Sequence, residues 1–162
     1  MNANAFRHFY NYHFSENRKV WSHVTSLSYE QFTRAVDYSH GSVRDQILHL
    51  IDAEQMWFSE LRDAQPLESL PATNSDDRDV IQAYWDNVEQ KIRAYLAELQ
   101  DDMLFSKPIK EPDDDKDLIV WQVLLHVANH ATDHRAQLLR VLHDLGVETT
   151  YQDYIFYVYG NP

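Results

Sequence analysis

Cysteine is absent from this chain of 162 residues, and glycine and proline are scarce, at three and five. Basic residues are few as well, 14 lysines and arginines against 26 aspartates and glutamates, for a formal net charge of -12. Without cysteine there is no thiolate nucleophile, no disulfide and no sulfur-ligated zinc, so any metal must be held by imidazole and carboxylate. A chain this acidic repels phosphate backbones, and no local basic patch offsets the repulsion, so no nucleic-acid partner is expected. No run approaches the roughly 18 apolar residues of a membrane span, and Met1 to Tyr10 lacks an apolar signal core; the expectation is a cytoplasmic protein with no membrane partner. One domain spanning 1–162 is expected, since a chain of this length buries about 70% of its unfolded surface without help from staples.

Few glycines and long proline-free stretches argue for helices, because sheets need frequent turn chemistry. A first helix fits Asn4 to about Ser26, with Phe6, Phe9, Tyr10, His13, Asn17, Val20, Trp21 and Val24 near one face. Leu27 to Gly41 reads as a connection with a short helical turn at Tyr29 to Val36. Ser42 and Asp45 have the spacing of a capping box and open a second helix that runs to about Ala64. Pro66 and Pro71 bracket the next connection. The third helix begins near Asn74 or Ser75 and keeps three- and four-residue apolar spacing to Leu99. Asp101 to Lys116, with Pro108, Pro112 and the run Asp113-Asp114-Asp115, is a polar loop. The fourth helix is expected from an N-cap at Asp117 to Leu145, where Gly146 supplies a stop. Four such amphipathic helices predict an all-α four-helix bundle. The closing Asp153 to Tyr159 is too apolar for a free tail and reads equally as a strap across the bundle or a subunit contact.

What the chain has in excess is histidine, nine in all. His126, His130 and His134 recur at intervals of four, a stripe with about 6 Å between neighbours along the helix axis, and two imidazoles at that spacing can bite one metal ion. All three cannot, because His126 and His134 lie about 12 Å apart while zinc–nitrogen bonds are about 2.0 to 2.1 Å. The pair is therefore His126/His130 or His130/His134, and a third ligand must come from another helix. His49, among Ile47, Leu50 and Ala53 of the second helix, is the best candidate. It lies about seven residues, roughly 10 Å, inside its helix, and His134 lies about eleven residues before the end of the fourth. Antiparallel helices would match His49 with His130/His134 and leave His126 as a packing neighbour; parallel helices would reverse the choice.

The chain resembles the DinB-like (DinB/YfiT) metalloenzyme family, damage-inducible four-helix bundles unrelated to the DNA polymerase that shares the name. The resemblance rests on Gly41-Ser42-Val43-Arg44-Asp45-Gln46-Ile47-Leu48-His49-Leu50-Ile51-Asp52-Ala53-Glu54 followed by Trp57, on His126-Val127-Ala128-Asn129-His130 with Asp133-His134-Arg135-Ala136-Gln137, and on Asp153-Tyr154-Ile155-Phe156-Tyr157. Phe9-Tyr10-Asn11-Tyr12-His13-Phe14-Ser15-Glu16-Asn17 is similar to the family's first helix, although His13 stands where tryptophan is usual, and Ala136 stands where the family has glycine. The resemblance covers essentially the whole chain. It implies an up-down-down-up bundle, His49, His130 and His134 as ligands of a divalent metal, usually zinc or nickel, and often a homodimer, for which Trp85, Tyr95 and the aromatic tail would be surface candidates.

Three neutral imidazoles leave at least one position for water, substrate or a thiol, the arrangement of a catalytic site. No glutamate follows His130, which argues against an HExxH-type peptidase. Asp52, Glu54, Asp133 and Asn129 could orient the ligands through their second ring nitrogens, but solvation on an exposed helix face is the simpler reading. Tyr12, His13 and Trp57 read as pocket lining or as bundle core. The family's characterised members include enzymes that use a low-molecular-weight thiol. The resemblance therefore implies a metal-dependent thiol S-transferase or hydrolase acting on a small-molecule substrate. The alternative is a stress-associated metal- or ligand-binding protein without turnover.

Overall fold

The computed structural model describes residues 2–70, 76–110 and 115–160, and among them it is all helical. The long helices are α1 (Ala3–Val24), α3 (Val43–Leu61), α4 (Arg78–Glu98) and α5 (Val120–Asp144). Two short helices, α2 (Tyr29–Thr33) and α6 (Tyr154–Val158), decorate the connections, and a single 3-10 turn occupies Met103–Phe105. The polar connection after α4 thus carries a helical turn of its own, and Lys107 Nζ meets Asp117 at 2.8 Å.

Side chains set most helix starts. The Asn2 side chain accepts from the Ala5 N–H at 2.9 Å. At α3 the box forms as the spacing demands: Ser42 Oγ accepts from the Asp45 N–H at 3.1 Å, and Asp45 Oδ2 accepts from the Ser42 N–H at 3.3 Å. Ser42→Ala is accordingly expected to lower stability by about 1 kcal/mol, read as a drop in denaturant midpoint at unchanged slope. Asn74 and Ser75, the expected start of the third helix, lie outside the described residues, as do Pro71, Pro112, Asp113 and Asp114; α4 is capped by Asp77, whose side chain accepts from Asp79 N and Val80 N. The expected N-cap at Asp117 is corrected. Helix α5 opens two residues later behind Ile119, whose N–H donates to Gln122 Oε1 at 3.0 Å, while Asp117 lies in the preceding turn, closed by the Leu118 N–H on the Asp115 carbonyl at 2.9 Å. At the far end Gly146 takes φ +84°, and the Val147 N–H reaches the Leu142 carbonyl at 3.0 Å, the wrap-around that stops the helix.

Cross-helix pairs fix the directions. Tyr10 on α1 donates to the Leu124 carbonyl of α5 at 2.9 Å, while Asn17, further along α1, meets Arg135, further along α5, so these two helices are parallel. Between α1 and α4 the order reverses: Arg7 bonds the Leu96 and Leu99 carbonyls, and Trp21 meets Trp85. Between α3 and α4, Asp52 pairs with Tyr84 and Phe58 with Tyr95, a parallel run. Between α3 and α5, His49 faces His134 and Trp57 faces His126, an antiparallel run. The bundle is up-down-down-up, with α1 and α3 on the diagonal.

Trp85 and Tyr95 are not the surface candidates the sequence suggested. Trp85 is buried against Trp21, and Tyr95 is half-buried and packs on Phe58. The tail is a strap: Tyr12 donates to the Gln152 carbonyl, His23 meets Thr150 at 3.2 Å, and Tyr154 packs on Phe9 and Tyr12.

Inside the bundle runs a polar seam. Arg135, fully buried on α5, donates to Asn17 Oδ1 at 2.8 Å and to His13 Nδ1 at 3.1 Å. Since Nδ1 accepts, the proton of the neutral ring sits on Nε2, which donates to Glu54 Oε1 at 3.0 Å. The Asn17 amide donates to the same oxygen at 3.1 Å. Two side chains of α1 thus relay donors from a buried cation on α5 to a buried anion on α3.

Candidate metal centre

The capping box starts α3 at Val43, so His49 falls within its second turn, on the side turned to α5. His130 and His134 are one turn apart on α5, and the antiparallel crossing brings both to the height of His49. Ring centroids are 4.6 Å apart for His49 and His134, 5.2 Å for His49 and His130, and 4.3 Å for His130 and His134. His126 stands outside this group, exposed, with its ring 5.7 Å from that of His130 and edge-on to Trp57 at 5.0 Å.

A fourth imidazole joins them that sequence reasoning missed. His40, on the connection before α3, stacks on His49 with centroids 3.6 Å apart and planes 13° from parallel, and its ring is 5.0 Å from that of His134. His40, His49 and His134 each offer a ring nitrogen within 4.8 Å of the others. That closeness does not by itself make one ligand set. Ring lone pairs lie in the ring planes, so two stacked imidazoles aim along parallel planes instead of at a common point.

The electrostatics suit a cation. Burial, helped by the neighbouring His40, His134 and His130, pushes His49 down to about 4. Burial likewise lowers His130 and His134, with Asp133 and, for His134, the Gln137 hydrogen bond opposing it. All three are neutral near pH 7, with lone pairs free to ligate. The buried Nε2 of His49 has no hydrogen-bond partner among the described residues. An orphaned buried imidazole nitrogen is costly unless something accepts its lone pair or proton. A neutral all-imidazole donor set with one such nitrogen fits a borderline-soft divalent ion.

The depressed His49 value also sets a pH dependence. Between about 6.5 and about 4 the unfolded chain takes up a proton at this position and the folded chain does not. The stability contributed by His49 is therefore full above about 6.5 and declines as the pH falls toward 4. Without metal, His49→Gln should flatten the loss of melting temperature between pH 7 and 4.5 relative to the parent.

The nearby carboxylates have other partners. Asp52 accepts from the Tyr84 hydroxyl at 2.9 Å, and Asp133 accepts from the Gln137 amide at 2.9 Å. Glu54 is not on a solvated face; it is buried in the polar seam with His13, which is therefore core and not pocket lining. Asn129 is exposed and shares with His126, Tyr12, Trp121 and Tyr154 a groove of about 760 Å³ between α1 and α5. No helix among the described residues is long and apolar enough to cross a membrane.

Compared with known protein families, the chain matches the one described as the DinB family over residues 1–161. No curated protein matches it.

Proposed function

We propose, from the premise that the chain belongs to the DinB family, that it is a metal-dependent enzyme whose zinc or nickel ion is held by His49, His130 and His134 and which acts on a small-molecule thiol. The observation that supports the reading is the clustering of these helix-borne rings, with centroids 4.3 to 5.2 Å apart, beside a buried His49 Nε2 that has no hydrogen-bond partner among the described residues. A divalent cation bound there with an open position acidifies a thiol or a water molecule that enters it.

The surroundings favour the thiol over water. Activating water for hydrolysis calls for a positioned base, and Asp52, Asp133 and Glu54 are all engaged by other side chains. A thiol starts from a pKa of about 8.5, far below that of water, so a bound cation makes it a thiolate near neutral pH with solvent as the only base. With no cysteine in the chain, that sulfur must arrive with the substrate. The groove between α1 and α5, with His126 on its rim one turn from His130, would hold the body of the thiol or its electrophilic partner.

Metal-loaded protein assayed with bacillithiol, mycothiol or glutathione against monochlorobimane should form the thiol adduct faster than the uncatalysed mixture, and His134→Ala should not. Stoichiometric metal uptake with no turnover of any thiol would remove the enzyme and leave the alternative of a stress-associated metal- or ligand-binding protein.

A further inference from the structure

The geometry points to His40 as a fourth, exchangeable imidazole ligand, delivered by the connection between α2 and α3, that occupies the open position of the His49/His130/His134 site until a substrate thiol displaces it. The inference rests on the metal reading above and adds to it the means by which the site is closed and opened.

Three observations carry it. First, the His40 ring is in the cluster, 3.6 Å from His49 and 5.0 Å from His134 by ring centroid, although no helix periodicity places it there. Second, the backbone around it is held in an uncommon shape. Ser39 has φ +54° and Gly41 φ +91°, so the residues on either side of His40 are both left-handed. For serine this conformation is strained, and strain of that kind persists where the surroundings impose it. The impositions are visible: the Ser39 hydroxyl bonds Gln137, one turn beyond His134, the Gly41 N–H reaches the Tyr38 carbonyl at 3.1 Å, and the Gln46 amide donates to the Gly41 carbonyl at 3.0 Å. The anchors grip the residues flanking His40 and leave its own ring exposed.

Third, that ring differs from the other three in what holds it. His49 is flanked along α3 by fully buried Ile47 and Leu50, and His130 and His134 along α5 by buried Ala131 and Arg135, so the backbones that carry these three rings are fixed by the core. When it turns, the His40 ring gives up its stack on His49 and its edge contact with His134 and, among the described residues, no contact with the core. In the stack its lone pairs lie in a plane nearly parallel to that of His49, but its ring nitrogen is already within 4.8 Å of those of His49 and His134, so a rotation about its side-chain torsions suffices to turn that nitrogen toward the ion they would hold. An exposed ligand on a loop, next to three ligands on packed helices, is the one an incoming donor replaces.

Cobalt(II) tests this on the full-length untagged chain, because its visible absorption reports the number and kind of ligands. The parent, His40→Ala, His40→Gln and His126→Ala are each titrated with cobalt and, by competition with a chromophoric chelator, with zinc. The expected results are one ion per chain in all four. In both His40 variants zinc affinity should fall by about tenfold or more, a scale at which even outer partners of a site tune affinity. Their cobalt bands should weaken and shift, and free imidazole should restore the His40→Ala bands toward those of the parent, with His126→Ala indistinguishable from the parent. 2-Mercaptoethanol should then give its sulfur-to-cobalt charge-transfer band at several-fold lower thiol concentration in His40→Ala than in the parent, since no imidazole competes. Cobalt bands and zinc affinity unchanged in both His40 variants would overturn the fourth ligand while leaving the three-histidine site standing. Altered bands with unchanged thiol uptake would overturn the exchange. Failure of the parent to bind either metal would overturn the metal reading and this inference together.

Discussion

Replacing Arg135 with methionine is expected to lower the stability of the bundle by about 3–5 kcal/mol, the scale for removing one partner of a buried charge pair. For a chain of this size that corresponds to a fall in melting temperature on the order of 10 °C. Methionine keeps most of the volume, so the loss is electrostatic. Arg135 is fully buried and bonds no carboxylate directly among the described residues; its charge reaches Glu54 through His13 and Asn17, each of which accepts from Arg135 and donates to Glu54 Oε1. Without the cation, Glu54 is a buried anion whose second oxygen already has no hydrogen-bond partner among the described residues. Glu54→Gln should be costly for the mirror-image reason. If the relay couples the two ends, the double variant should lose less than the sum of the singles, and strict additivity would show that the seam is not a unit. Burial pushes the Glu54 carboxyl up, but His13, Asn17 and the field of Arg135 outweigh it and hold it below its ordinary range. Its contribution is therefore present above the usual carboxylate pKa and is lost as the pH falls through the depressed value, a component of acid unfolding that Glu54→Gln should remove.

Zinc at about a thousand times its dissociation constant should stabilise the parent by about 4 kcal/mol, again a rise in melting temperature on the order of 10 °C. His134→Ala should abolish most of that rise. In the absence of metal the same variant should melt close to the parent, because His134 is only half-buried and its replacement removes an imidazole that burial keeps from protonating. This contrast separates a ligand from a packing residue. A side chain that mattered for packing would lower the melting temperature with and without zinc alike.

Much of this was legible in the residues. The capping box at Ser42 and Asp45 started α3 where the spacing required, and that start sets the height of His49. The i,i+4 histidines announced a face, and once α3 and α5 proved antiparallel the pair nearest His49 was His130 and His134. The polar seam is written in the same periodicity. Glu54 falls in phase with Ile47, Leu50, Ile51 and Phe58, and Arg135 with Leu124, Ala128, Ala131 and Leu138, so two charged residues on core stripes of different helices were the signal of a buried pair. His13, which the sequence left open between pocket lining and bundle core, belongs to that seam and links Arg135 to Glu54. His40 could not be read this way. It lies on an aperiodic connection, and only the folding of that connection against α5 through Ser39 and Gln137 brings its ring to His49.

The claim that these imidazoles form a metal site is tested most directly by the metal content of the chain purified without a polyhistidine tag, measured by elemental mass spectrometry alongside the His49→Ala variant. One zinc or nickel ion per parent chain, and far less than one in the variant, is the predicted result. Substoichiometric zinc, nickel and manganese in the parent, with a melting temperature that does not respond to added metal, would contradict it and leave the histidines as packing residues alone.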